Sequence, residues 1–61
     1  SVVDYINEKR VFASLRYLAT TDLSVAQIAE RVGIGDENYF SRLFKKYQKR
    51  TPKQYRNLMR H

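Results

Sequence analysis

Between Ser24 and Tyr47 the chain reads SVAQIAERVGIGDENYFSRLFKKY, and no other stretch limits the fold as much. Ser24 has the chemistry of a helix N-cap, and Gln27 three residues later completes a capping-box pattern. Val25, Ile28, Ala29 and Val32 then recur at helical spacing, which predicts a helix over 25–32 with one apolar face. Gly33 follows the last of them, where a left-handed C-cap is needed and glycine adopts it with least strain. Ile34 can then fold back onto the core. Asp36 is the expected N-cap of a second helix, 37–47, whose apolar set is Tyr39, Phe40, Leu43, Phe44 and Tyr47. Two short amphipathic helices joined by a tight glycine turn are the sequence form of a helix-turn-helix. Ala29 fits that reading, because a small side chain is expected where the first helix crosses the second.

The flanks support this unit. Residues 3–19 contain no Gly or Pro and predict one helix. Val11, Leu15 and Leu18 form one stripe, and Ile6, Ala13 and Tyr17 a second. Together they make a face broader than one side, with Asp4, Glu8, Lys9 and Arg16 outside it and Tyr5 and Phe12 at its edge. A helix that apolar needs contacts on two sides. One is the helix-turn-helix. The other is expected to be a unit beyond this sequence, with an exposed helix end or a dimer contact as the alternative. The first residue, Ser1 and not Met, fits a piece of a longer protein. After the basic loop Gln48-Lys49-Arg50, Thr51 as N-cap, Pro52 at the first helical position and Gln54 in a capping box start a last helix over 52–60. Its spacing points Tyr55, Leu58 and Met59 inward and Lys53, Arg56 and Arg60 outward. His61 reads as an uninvolved terminal residue.

Size and composition exclude several classes. A chain of 61 residues is one small domain, and folding at that size buries only about 60% of the unfolded surface. There is no cysteine, so neither a disulfide nor a thiolate metal site is available, which fits a reducing, cytoplasmic setting. No apolar run has the length of a membrane span. One His, scattered acids and no phosphate-binding glycine loop leave no catalytic site, metal site or cofactor to propose, so the chain is not read as an enzyme.

The charge has direction. Four basic and four acidic residues cancel over 1–35, whereas eight basic and two acidic residues over 36–61 carry the whole formal charge of +6. One-sided basicity points to a polyanion, nucleic acid before membrane, against the plain alternative of a solubilising surface. The second helix supplies a matching face: Glu37, Asn38, Ser41, Arg42, Lys45 and Gln48 lie opposite its apolar set. An α-helix fits the major groove of B-form DNA, and residues near its N-terminus reach base edges. Asn38 suits adenine, Arg42 suits guanine, and Ser41 serves either base or a phosphate. Glu37 can accept from a cytosine amino group or repel wrong registers. Lys45, Lys46, Lys49 and Arg50 lie too far along to read bases and suit phosphates. Thr51 to Lys53, at the start of the last helix, forms a second expected phosphate site.

Ser24-Val25-x-x-Ile28-Ala29-x-x-Val32-Gly33-Ile34-x-Asp36-x-x-Tyr39-Phe40-Ser41-Arg42-x-Phe44-Lys45-Lys46, followed by Thr51-Pro52-x-x-Tyr55-Arg56, resembles the C-terminal signature of the AraC/XylS family of bacterial transcription regulators. Tyr5-Ile6-Asn7-x-x-Arg10-Val11 and Thr21-Asp22-Leu23 resemble that family's linker helix and the approach to its second helix-turn-helix. The resemblance implies an all-α, homeodomain-like small helical bundle. Residues 1–61 would form one half-domain: linker helix 3–19, helix-turn-helix 24–47 and closing helix 52–60. It implies a transcription regulator, of a family in which many members are activators, that binds double-stranded DNA sequence-specifically, with Glu37, Asn38, Ser41 and Arg42 facing bases and Lys45 near the backbone. It further implies a missing first helix-turn-helix, a separate sensing or dimerisation domain, and RNA polymerase as a partner of the full-length protein. Three positions depart from the pattern: Ile34 where Phe is frequent, Lys49 where Gly is usual, and Ser14 where Ala is usual. The competing reading is a protein-interaction or dimerisation module that self-associates through the apolar face of residues 3–19.

Overall fold

A computed structural model of the chain describes residues 1–60, so the reading of His61 lies outside the described residues. Among them there are four helices and no strand: α1 (Val2–Thr20), α2 (Val25–Arg31), α3 (Glu37–Gln48) and α4 (Pro52–Met59). α1 packs against all three others, α2 against α3, and α3 against α4.

The caps form from the residues that signalled them. The Ser24 N–H donates to Gln27 Oε1 at 2.9 Å, and the Gln27 N–H returns to Ser24 Oγ at 3.1 Å. Thr51 and Gln54 repeat the pair at 2.8 and 3.1 Å. Asp36 Oδ1 accepts from the N–H groups of Asn38 and Tyr39 at 2.8 and 3.2 Å. Each satisfies donors that the first helical turn leaves without partners. At the end of α2, Gly33 has φ +90°, its N–H donates to the Glu30 carbonyl, and the Ile34 N–H donates to the Ala29 carbonyl. This is the Schellman arrangement. It returns Ile34, only 4% exposed, to the core. The Ile34 side chain, smaller than the frequent Phe, is therefore still a core plug. Gly33 is also crowded: a Cβ there would sit 3.1 Å from the Arg10 guanidinium carbon.

The core is Val11, Leu18, Ile28, Ala29, Ile34, Phe40, Leu43 and Phe44, with Leu15, Tyr17, Leu23, Val25, Val32, Tyr47 and Tyr55 packed around it. Ala29 is fully buried. Phe44 is the hinge of the packing, 5.9 Å from Phe40 on one side and edge-on to Tyr55 at 5.9 Å on the other.

α1 departs from the expected pattern. Its buried row is Asn7, Val11, Ser14 and Leu18, spaced four, three and four, so two of the four buried positions are polar. Ser14 closes its hydroxyl onto the Val11 carbonyl of its own helix at 2.5 Å, which makes the polar group acceptable at a fully buried contact. The second stripe stays open except at Tyr17, which is half-buried against the core. Ala13 is exposed, Ile6 is 41% exposed, and Val2, Val3, Tyr5 and Phe12 are exposed beside it.

α4 corrects the sequence reading more sharply. Leu58 and Met59 were expected inside, but they are nearly half exposed. Arg56 was expected outside, but it is half-buried and reaches back to the end of α1; Arg60 is exposed as expected, yet it is engaged with the residues that follow α1. Arg56 donates from Nε to the Leu18 carbonyl at 3.1 Å and from its terminal nitrogen to the Thr21 carbonyl at 3.0 Å. Arg60 donates to the same Thr21 carbonyl at 3.0 Å and pairs with Asp22 at 2.8 Å. The cause is the end of α1, whose last carbonyls have no partner within the helix. The Thr20 and Thr21 hydroxyls donate to the Arg16 and Tyr17 carbonyls, Arg56 takes the Leu18 carbonyl, and both arginines converge on the carbonyl of the cap residue Thr21.

Candidate nucleic-acid interface

α3 presents the face in question. Phe40, Leu43 and Phe44 hold it to the core, which turns Glu37, Asn38, Arg42, Lys45 and Lys46 to solvent. Asn38 and Arg42 are one turn apart on the same exposed side. Ser41 is half-buried at the border of this face. Asp36 and Glu37 place negative charge at the N-terminus of α3, where the helix dipole favours it.

Toward the other end, two base candidates and three of the six phosphate candidates come together. Ser41, Arg42, Lys45, Lys46 and Thr51 together line a shallow depression of about 370 Å³ between α3 and the start of α4. Of the residues that the sequence assigned to bases or phosphates, these five share one concavity. Glu37 and Asn38 lie outside it, as do Lys49, Arg50 and Lys53. Lys49, Arg50 and Lys53 are exposed on the turn and on the first turn of α4. Thr51 is half-buried, and its hydroxyl is already an acceptor for Gln54 N–H, so toward an anion it has its O–H to offer.

Lys49 caps α3 in the left-handed region with φ +65°, its N–H on the Lys45 carbonyl at 2.9 Å. A glycine would adopt this backbone without the Cβ conflict, so the Lys costs some stability here. Its ammonium also donates to the Lys46 carbonyl at 3.2 Å, which holds the charge beside the depression. Lys46 lies over the Tyr47 ring at 5.4 Å. Ion pairing does not compete for this surface: among the described residues the two ion pairs are the Ser1 amino group with Asp4, and Arg60 with Asp22. The Asp4 carboxyl is held below its ordinary value by the Ser1 side chain, then by the terminal amino group, then by the charge of Lys46.

Two features escaped the sequence reading. Arg56 and Arg60 both bond the Thr21 carbonyl and so brace the fold, Arg56 from a half-buried position and Arg60 from the surface. Tyr39, assigned to the apolar set, is 42% exposed and accepts a hydrogen bond from the buried Asn7 side chain at 3.3 Å. The signal for Asn7 was its register with Val11, Ser14 and Leu18. Among the described residues no helix is long and apolar enough to cross a membrane, and no group of His, Asp and Glu has the arrangement of a metal site.

The sequence profile of the bacterial regulatory helix-turn-helix proteins of the AraC family matches residues 14–57. The chain belongs to the AraC family. It is 40% identical over 58 residues to the bifunctional transcriptional activator/DNA repair enzyme AdaA of Bacillus subtilis, covering 95% of this chain and 28% of that protein. It is 34% identical over 56 residues to the arabinose operon regulatory protein of Salmonella typhimurium, covering 92% of this chain and 20% of that one. The crystal structure of the C-terminal domain of the two-component response regulator yesN from Fusobacterium nucleatum superposes with a TM-score of 0.82 at 51% identity, over 87% of this chain and 52% of that one. The chain thus spans well under a third of the length of these two regulators. This AraC-type helix-turn-helix is all-α, and its function is sequence-specific DNA binding in transcription regulation.

Proposed function

We propose that this AraC-type domain reads duplex DNA with α3 in the major groove. Glu37, Asn38, Ser41 and Arg42 face bases, and Lys45, Lys46, Lys49, Arg50, Thr51 and Lys53 hold phosphates. The observation that carries the proposal is the depression that gathers Ser41, Arg42, Lys45, Lys46 and Thr51, directly beside the exposed Asn38–Arg42 side of α3. Asn38 is suited to an adenine edge and Arg42 to a guanine edge, while the cations release counterions from the backbone. Five cations on phosphates correspond to a slope of log affinity against log salt of roughly −4 to −5. Titration of a labelled duplex at several salt concentrations tests this, and salt-independent binding would contradict it.

The role is one of recognition, without chemistry of its own, in a cytoplasmic regulator. α1 serves as a linker helix, and its open stripe of Val2, Val3, Tyr5, Ile6 and Phe12 is where a preceding unit packs. The much greater length of the relatives supports that reading. A single recognition helix gives few contacts, so this chain alone binds weakly. In the longer protein we add RNA polymerase as a second partner. The same open stripe gives the isolated chain a tendency to self-associate, which sedimentation at several concentrations would detect as a mass that rises with concentration.

A further inference from the structure

Tyr39 is the exposed aromatic side chain of α3, and its phenol is not left to rotate. Asn7, only 7% exposed on the facing side of α1, donates its side-chain N–H to the Tyr39 hydroxyl at 3.3 Å. A phenol oxygen that accepts from one side still has its own O–H to donate. In α3 the position of Tyr39 matters as well. Lys46 lies seven positions further on, so the two are about two turns apart along one edge of the exposed face, with about 10 Å between them along the axis. Lys46 is a proposed phosphate contact at the far end of that edge. The first turns of α1 run beside it, since the Tyr47 hydroxyl also reaches back to the Asp4 carbonyl at 3.4 Å.

We infer that Tyr39 is a further DNA contact, donating its hydroxyl proton to a backbone phosphate on the same edge as Lys46, and that Asn7 is the positioning residue that aims it. This inference rests on the DNA-binding reading above. A neutral donor at a phosphate fixes the seat of the helix without reading sequence and without releasing a counterion. It therefore has a signature different from both Arg42 and Lys46.

The probes are the duplex most enriched by this chain from a random-sequence pool and a scrambled duplex of the same composition. Tyr39→Phe keeps the ring and removes the donor. It should weaken binding to both duplexes by the same factor, about two- to tenfold, with the salt slope of the parent chain. Asn7→Ala should weaken binding in the same way, and should add nothing when Tyr39 is already Phe. Melting curves of the same samples refer each affinity to the folded fraction, so lost stability does not pass for lost contact. Unchanged affinity of Tyr39→Phe overturns the inference. So does a loss confined to the enriched duplex, or a further loss on adding Asn7→Ala. Lys46→Ala separates the two levels, because it should reduce the slope by about one. If it does so while Tyr39→Phe has no effect, DNA binding stands and the Tyr39 contact falls. If neither variant changes anything, both fall.

Discussion

α3 and α4 look alike in sequence and do opposite things with their charge. Both are short, capped, amphipathic helices with basic residues on the polar side. In α3 the apolar face is sufficient: Phe40, Leu43 and Phe44 bury, Tyr39 stays exposed at its edge, and the cations are left to solvent. In α4 the apolar face is thin. Pro52 is its buried residue, Tyr55 leans on Phe44, and Leu58 and Met59 stay nearly half exposed. Arg56 and Arg60 make up the difference by holding the carbonyl end of α1. A helix with a sufficient core can offer its cations to a partner, whereas one without it spends them on its own fold. The charge proposed for DNA is accordingly that of Arg42, Lys45, Lys46, Lys49, Arg50 and Lys53, all exposed and outside the two ion pairs among the described residues.

This contrast can be broken first at the joint between the two helices. Phe44→Ala removes the ring that touches both Phe40 and Tyr55 and should cost about 3–5 kcal/mol. A domain of this size has only about 0.05–0.15 kcal/mol of stability per residue, so loss of cooperative thermal unfolding is expected. Arg56→Ala leaves the Leu18 carbonyl without its charged donor and the Thr21 carbonyl with Arg60 alone, and should cost about 1.5–3 kcal/mol in chemical denaturation. The folded fraction should bind DNA with an unchanged salt slope. Arg42→Ala should show the reverse. Its stability should stay within about 0.5 kcal/mol of the parent. Its discrimination between enriched and scrambled duplexes should fall by about 1–3 kcal/mol, as competition binding would show. The smallest effect belongs to Lys49→Gly, which relieves the left-handed backbone and removes a cation. It should raise stability by up to about 1 kcal/mol while lowering the salt slope by about one. A stability gain without a change in slope would take Lys49 out of the phosphate set.

Much of the fold was legible because local chemistry decides it. Ser24, Asp36 and Thr51 cap helices with their own side chains, and Gly33 supplies a backbone that few other residues adopt. These interactions span three or four residues and leave a mark in the sequence. The exposed face of α3 was legible for the same reason, since its apolar spacing fixes what remains outside. What escaped spans long distances. The Arg56 contacts reach back 35 and 38 residues, and Asn7 to Tyr39 spans 32. No periodicity tells whether a basic side chain at the rim of a helix meets water or another helix's last carbonyl. The open stripe of α1 shows the same limit from the other side: apolar spacing marks a face that can bury, not what buries it.

The central claim is that the exposed side of α3 and the start of α4 form the DNA surface, while the arginines of α4 and the open stripe of α1 do not. Mapping backbone amide shifts while the enriched duplex is titrated into the labelled chain tests that claim in one experiment. The account predicts the largest changes over Glu37–Lys46 and Lys49–Lys53, with small ones at Val2, Val3, Phe12 and Leu58. Changes centred on Val2–Phe12, with α3 unmoved, would contradict it.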